Sequence, residues 1–430
     1  MQTSLKSKIM SDVKNITEER TRRPFLPGDK ALGVIVLMFF VISMIVVSSA
    51  VLKEGFMEGI ADKMVRKHVL TLICSAVIIV VCYFIPASWM RWGTRVFYSV
   101  SWIATLIPYF LPPMANGAHR WLNLGFFAFQ PSELLKIATI MLLASRLSAR
   151  HQMIKSICLT PTTIDVRKWF TTSRQKYIIF EQVLPILTPI ALTCLVILPD
   201  ATSSAVHIFI VSLLMLFLSG VRIFEISKVF VLSVAMGLLV IFTIGRGETV
   251  VSRLKDYANS GELTRKERLE KDTYRSRMAI QNGGFFGEGA GRSVMRGRLM
   301  HPESDYIFAV IVEEFGLLVS MVIVMLYLWL FFRSLRIFEK CEWLYGGLLA
   351  VGMALLITSQ AYLHIGVATG ILPETGQNLP FLTQGRTGMF CASIAVGAIL
   401  SISRQVESGE LLPAQFNRKK DNAFLRWLWR

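Results

Sequence analysis

The chain has 430 residues, 53% of them hydrophobic and only 17% charged, with a mean hydropathy of +0.53. Soluble domains carry about 25% charged residues, so the composition excludes an ordinary soluble protein and points to lipid, where charge is expensive. The formal net charge of +17 would suit nucleic acid or an anionic membrane. The basic residues stand in short segments beside apolar runs, which favours membrane orientation and argues against nucleic acid.

Ten apolar segments follow, each near the ~20 residues that a helix needs to cross the hydrocarbon. They are 31–51, 69–85, 96–111, 132–147, 179–198, 201–220, 226–244, 306–332, 344–366 and 389–402. The first 30 residues are polar and basic, without the apolar core of a cleavable signal, so the first segment is expected to act as the insertion signal. Pro185 and Pro189 predict a kink in the fifth segment, tolerable where neighbours satisfy the freed backbone. Pro199 and Asp200 predict a tight hairpin between the fifth and sixth. The predicted fold is all-α: a polytopic membrane protein with ten transmembrane helices over residues 31–402, between tails at 1–30 and 403–430. A long extracytoplasmic loop, 245–305, joins helices 7 and 8.

Lysine and arginine placement sets the orientation. With the N-terminus inside, the segments assigned to the cytoplasm carry 27 of these residues and the short outer segments 5, so both termini are expected in the cytoplasm. The 245–305 loop holds 12 basic and 9 acidic residues, and long loops translocate largely regardless of charge. Within it, 253–277 reads as a solvated amphipathic helix and 283–291 as a glycine-rich stretch. The six cysteines lie in apolar spans or in segments assigned inside, without metal-site spacing, so no disulfide framework is expected.

Several polar residues are candidates for chemistry. Asp305, in His301-Pro-Glu-Ser-Asp-Tyr306, stands at the outer mouth of the eighth span, where partial desolvation makes a carboxylate a better base; a helix N-cap is the ordinary alternative. Glu313 would lie about 12 Å deeper at helical rise, a depth at which carboxylates face a polar cavity or a partner. Glu133 and Lys136, at i and i+3, share a helical face and should pair toward the bundle interior, as a structural or a functional ion pair. Gly283-Gly-Phe-Phe-Gly-Glu-Gly-Ala-Gly291 precedes Arg292, Arg296 and Arg298. Glycines let backbone amides approach an anion and arginines grip phosphate, with a flexible loop as the alternative. Arg120, in Gly117-Ala-His-Arg-Trp121, is a further phosphate candidate beside an interfacial tryptophan. His119, His207 and His364 lack ligand spacing, and no metal is assigned to them.

Taken in order, these segments resemble the SEDS family (shape, elongation, division, sporulation), which includes FtsW and RodA, over about 28–404. The specific pieces are Gly-Ala-His-Arg-Trp (117–121), Gln-Pro-Ser-Glu-Leu-Leu-Lys (130–136), the run 281–291, Pro-Glu-Ser-Asp-Tyr-Ile-Phe-Ala-Val-Ile-Val-Glu-Glu-Phe-Gly (302–316) and Leu-Ser-Ile-Ser-Arg (400–404). The charged outer loop and the lead-in Pro27-Gly-Asp-Lys30 are most similar to the FtsW branch. The resemblance implies a peptidoglycan glycosyltransferase that polymerises lipid II during cell division, on the outer face of the bacterial cytoplasmic membrane and at the septum. Asp305 matches the family's essential aspartate and would be the general base. Glu133, Lys136 and Arg120 match family positions and, with Arg292, Arg298 and Glu313, are expected to bind substrate. No cofactor is required by the sequence; a divalent cation (Mg or Mn) would share the diphosphate, although no dedicated cage is seen. The implied partners are a class B penicillin-binding transpeptidase and other divisome proteins. The alternatives are a RodA-type elongation polymerase and a lipid II flippase. The sequence departs from the family at Leu-Pro-Asp-Ala-Thr-Ser (198–203), at Gln-Gly-Arg-Thr-Gly (384–388) and at Ser304, which leaves Asp200 and Arg386 without an assigned role.

Overall fold

The computed structural model describes residues 27–55, 60–111, 121–123, 128–151, 183–243, 251–252 and 271–409. Arg120, the 253–270 part of the charged loop and the basic C-terminal tail lie outside the described residues. Eleven α-helices run through the rest: α1 (Lys30–Gly55), α2 (Ile60–Phe84), α3 (Ala87–Leu106), α4 (Pro131–Ala149), α5 (Leu184–Ile197), α6 (Thr202–Leu218), α7 (Ile223–Thr243), α8 (Asp272–Gly283), α9 (Ile307–Lys340), α10 (Leu344–Ala368) and α11 (Arg386–Ser408). The only strands among the described residues are two-residue pieces, β1 (Leu122–Asn123) and β2 (Ala128–Phe129), paired antiparallel. Each of the ten apolar segments contains one of these helices, and α8 is the additional one.

Among the described residues, five helices are long and apolar enough to cross a membrane: α1, α2, α9, α10 and α11. Two more, α5 and α6, are apolar but shorter. Apolar side chains face outward on the peripheral helices, as at Leu37, Val41 and Ile45 of α1 and Ile73, Val77 and Val80 of α2. In water such a surface would aggregate; in lipid it is the solvated face. The polytopic helical membrane architecture is therefore direct from the fold.

The centre of the bundle is α10 and α11. Their most apolar stretches are 72% buried, against 22% for α2. Around them stand α4 and α9, then α1, α2, α3, α5 and α6. Where α11 meets α2, a Cβ on Gly397 would sit 2.5 Å from Cys82 Cβ, so only the smallest residue permits this approach. Buried hydroxyls bond across helices: Tyr98 of α3 donates to the Pro189 carbonyl of α5 (3.1 Å), and Thr139 of α4 lies 2.8 Å from Thr193 of α5.

Helix limits differ from the sequence reading in places. Pro185 lies in the first turn of α5 and only Pro189 lies inside it; proline is accommodated in the first turn because its missing N–H would be unpaired there anyway. α3 begins at Ala87, inside a stretch read as loop. α9 runs on to Lys340, eight residues past the expected end, because Leu335, Ile337 and Phe338 remain buried against the bundle. The amphipathic helix expected over 253–277 is described only as α8, whose Ser276, Ala279 and Gly283 are buried. α8 lies across the ends of two spans. Ser276 Oγ donates to Ala368 O and Arg277 Nη2 to Gly370 O, both at 2.6 Å. These bonds satisfy carbonyls at the end of α10, and the cation suits that pole of the helix.

Candidate active site

Asp305 sits two residues before α9, half-buried, in a turn where its N–H and that of Ser304 both donate to His301 O at 3.1 Å. His301 holds the left-handed conformation (φ 56°) that tightens this turn. The N-cap position of α9 belongs to Tyr306, and no side chain caps the helix. The capping alternative for Asp305 is therefore not realised. The turn is fixed from two sides. Tyr306 donates to Glu374 Oε1 (2.9 Å), which also accepts from Thr273 of α8 (2.6 Å), and the Gln384 N–H donates to Glu303 O (3.3 Å). Arg292 and Arg298, both exposed, lie on the segment leading into this turn. Arg275 Nη1 holds that segment by donating to Arg298 O (2.6 Å) while pairing with Asp272 (3.1 Å).

The glycine-rich stretch is used differently from the sequence reading. α9 is interrupted at Gly316, whose φ of 80° and ψ of 174° are not helical. The interruption frees two carbonyls and two amides, and the glycine-rich segment takes all four. Glu288 N and Gly289 N donate to Glu313 O and Glu314 O (both 2.9 Å), while Leu317 N and Leu318 N donate to Gly284 O and Phe285 O (3.1 and 3.4 Å). Backbone lies directly on backbone. A Cβ on Gly283 would stand 2.0 Å from Val312 O, on Gly287 2.4 Å from Glu314 O, and on Gly316 2.5 Å from Phe285 O. These glycines permit a close crossing of two chains; neither of the two sequence readings, an anion cradle or a flexible loop, describes them.

Two carboxylates lock this crossing. Glu313 is fully buried and accepts from Asn282 Nδ2 (3.2 Å), Ser293 Oγ and the amides of Val294 and Met295 (3.3 Å each). Glu314 accepts from Ser49 Oγ and pairs with Arg296 Nη1 (3.3 Å), both partners of that pair being 4% exposed or less. Arg296 also donates to Ser49 O and Gly291 O, tying the segment to α1. Arg296 is thus buried and structural, whereas its neighbours Arg292 and Arg298 remain at the surface.

Glu133 and Lys136 pair as the spacing predicts: Lys136 Nζ is 2.8 Å from Glu133 Oε1, with side-chain exposures of 1% and 10%. Lys136 also donates to Gln360 Oε1 of α10 (3.3 Å), and Gln360 Nε2 donates to Asn378 O (3.0 Å). Asn378 belongs to the 369–385 connection, read from sequence as a plain outer loop. It is instead folded into the bundle. Gln377, Leu379, Phe381, Leu382 and Thr383 are buried, Phe381 stacks on Phe39 at 5.6 Å, and Tyr327 donates to Pro380 O. His364 Nδ1 lies 2.7 Å from Gln377 O, and Gln377 Nε2 donates to Ser204 Oγ (2.7 Å). One folded-in connection therefore touches the Glu133–Lys136 pair through Gln360 and the Asp305 turn through Gln384 and Glu374.

Sequence reasoning missed Gln360, Asn378 and Glu374. The available signal was a lone glutamine inside an apolar span and a Gln-Asn pair in a supposed surface loop. Asp200 is half-buried beside Ser132, Thr105 and Tyr109 in a narrow crevice, and Arg386 opens α11. Among the described residues, no three His, Cys, Asp or Glu side chains come together as a cation site.

Comparison with known proteins agrees with this architecture. The cell cycle protein family FtsW/RodA/SpoVE matches residues 30–408. The probable peptidoglycan glycosyltransferase FtsW of Thioalkalivibrio sulfidiphilus is 31% identical over 306 residues, covering 69% of each chain. Stage V sporulation protein E of Bacillus subtilis is 32% identical over 292 residues, 67% of this chain and 72% of that one. Among solved structures, a chain of a peptidoglycan synthase complex that coordinates polymerization and crosslinking superposes with a TM-score of 0.61 at 18% identity, over 89% of this chain and 99% of that one. The rod shape determining protein RodA of Thermus thermophilus gives a TM-score of 0.57 at 18% identity, over 89% and 98%. The fold is that of a multi-pass helical membrane protein. The chain belongs to the FtsW/RodA/SpoVE family.

Proposed function

We infer that this protein is a peptidoglycan glycosyltransferase of the FtsW type, polymerising lipid II during division of a bacterial cell. It crosses the cytoplasmic membrane ten times, with both termini inside and the Asp305 turn at the outer face. The observation that carries the reading is the half-buried Asp305, in a turn held by His301 O and Glu303 O, with the exposed Arg292 and Arg298 on the segment that leads into it. The acceptor sugar's 4-hydroxyl loses its proton to Asp305 as its oxygen attacks the donor's anomeric carbon. The bond to undecaprenyl diphosphate breaks with inversion, and the leaving group departs as the diphosphate. Arg292 and Arg298 neutralise the charge that develops there. Arg120 is proposed for the same anion, from the segment preceding α4. Glu133 and Lys136 act through Gln360 and Asn378 on the position of the folded-in connection. Glu313, expected among the substrate contacts, has its carboxylate occupied by Asn282, Ser293 and two amides, and its proposed role is to hold the segment that carries the arginines.

The partner is a class B penicillin-binding transpeptidase. The synthase complex that resembles this chain combines polymerization and crosslinking, and nascent glycan needs crosslinks. The test is lipid II polymerisation by purified protein reconstituted with its transpeptidase. Asp305→Asn should lower the rate by about 10²- to 10⁴-fold, the usual worth of a general base, with unchanged thermal unfolding. A rate within a few-fold of the unsubstituted protein would remove Asp305 from the mechanism. Lipid II translocation without glycan product would replace the polymerase reading with that of a transporter.

A further inference from the structure

The chain from α8 to Asp305 is a hairpin that dips along α9 and returns. Thr273, in the first turn of α8, shares Glu374 Oε1 with Tyr306 at the head of α9, so the two helices begin at one level. At the other end of α8, a Cβ on Gly283 would meet Val312 O and Glu313 Cα; α8 thus descends alongside the first turns of α9. The turn that follows reaches lower still, where Gly284 O and Phe285 O accept from Leu317 N and Leu318 N. The chain then climbs. Gly291 N donates to Ser49 Oγ of α1 (2.8 Å), and Met300 N donates to Asp272 Oδ1 (3.4 Å) at the start of α8. Residues 272–300 therefore close on themselves, with Phe285 and Phe286 at the tip.

Two spans measure the depth of that tip. Asp29, just before α1, pairs with Arg333 of α9 (2.6 Å), and such charges belong at the edge of the hydrocarbon, where they reach water. From there the apolar span of α1 ends at Ser49, about 28 Å along at helical rise, close to the ~30 Å thickness of a hydrocarbon core. Glu314, bonded to Ser49, is likewise about 28 Å along α9 from Arg333. The two residues mark the opposite edge. Leu318 stands only about 22 Å from Arg333, which puts the tip beside it roughly 6 Å inside the apolar layer. The charged residues nearest the tip sit back at the edge: Glu288 N donates to Glu313 O, and Arg292 follows the glycine that meets Ser49.

What the tip exposes suits lipid. Phe285 is 55% and Phe286 81% exposed, and they stand beside Leu317 and Leu318, which open an outward stripe that runs on through Met321 and Met325. Irregular backbone is tolerated at membrane depth only where its polar groups are bonded within the protein. Here Gly283 O, Gly284 O and Phe285 O accept, and Gly287 N, Glu288 N and Gly289 N donate, all within the crossing.

We propose that residues 283–288 are a re-entrant segment whose tip, Phe285 and Phe286, is seated among the bilayer acyl chains of the leaflet on the Asp305 side. The seat fastens the segment leading to Asp305 to that leaflet, whichever reaction the carboxylate serves.

The test uses full-length protein in phosphatidylcholine bilayers, with Phe286 or, in a second sample, the exposed Met300 replaced by trifluoromethyl-phenylalanine. At position 286 this adds only a small group to an exposed ring, so the fold is kept. Fluorine resonances are recorded with two quenchers: phosphatidylcholine carrying a nitroxide on its acyl chain, and a water-soluble gadolinium chelate. The 286 signal should be lost with the nitroxide lipid and kept with the chelate. The 300 signal should be lost with the chelate. Loss of the 286 signal with the chelate puts the tip in water and overturns the proposal. A 286 signal that survives both quenchers means that protein, as from a second copy of the chain, covers the tip, and it overturns the lipid seat equally.

Discussion

Two buried acidic clusters in this molecule are neutralised in opposite ways. On α9, Glu313 is surrounded by hydrogen-bond donors from a neighbouring segment, two of them backbone amides, and Glu314 by Ser49 and Arg296. On α4, Glu133 is held by a single lysine one turn away, which leans in turn on Gln360. The first cluster draws its stability from shape, because the donors arrive only if two backbones cross at Gly316. The second draws it from charge, because removing Lys136 leaves a carboxylate buried alone. The lesson is that an acidic residue deep in an apolar helix is not by itself a reactive group. What its donors are attached to decides whether it positions a loop or balances a charge.

The sharpest way to break this contrast is Lys136→Met. Breaking a buried pair by removing one partner costs about 3–5 kcal/mol, so detergent-purified protein should unfold at a markedly lower temperature. Adding Glu133→Gln should recover most of the loss. If the single variant is as stable as the unsubstituted chain, the pair is not the electrostatic anchor described here. Next comes Gly287→Ala. Its φ of 81° and a Cβ site 2.4 Å from Glu314 O put the cost at about 1–3 kcal/mol or more. Because the crossing joins the segment leading to Asp305 with the helix that follows it, polymerisation should fall together with thermal stability. Activity retained at full rate would uncouple the two. The smallest effect is expected for Glu313→Gln. The amide keeps one acceptor oxygen but turns its NH₂ toward groups that themselves donate, a mismatch of about 1–3 kcal/mol. Polymerisation lost without any loss of stability would return Glu313 to the substrate contacts.

Much of this architecture was legible in the residues. The long apolar runs read correctly as helices because hydropathy in lipid is a local property. Glu133 and Lys136 were legible as a pair because i and i+3 on a helix are neighbours whatever the rest of the chain does. Asp305 was legible as an acidic group at the mouth of α9, and its turn was not, since that depends on Glu374 and Gln384 far along the sequence. The glycines of 283–291 read as an anion cradle or a flexible loop because their purpose lies in Gly316, which belongs to another element. The 369–385 connection reads only as a short outer segment. Its burial is decided by Leu379, Phe381 and Leu382, each of which finds a pocket only once the surrounding helices exist.

The interruption at Gly316 has a mechanical result. The rungs that would join the first turns of α9 to the rest of that helix are spent on the glycine-rich segment instead, so those turns are hydrogen-bonded to the chain that follows α8. A single glycine stands where the two parts of α9 meet.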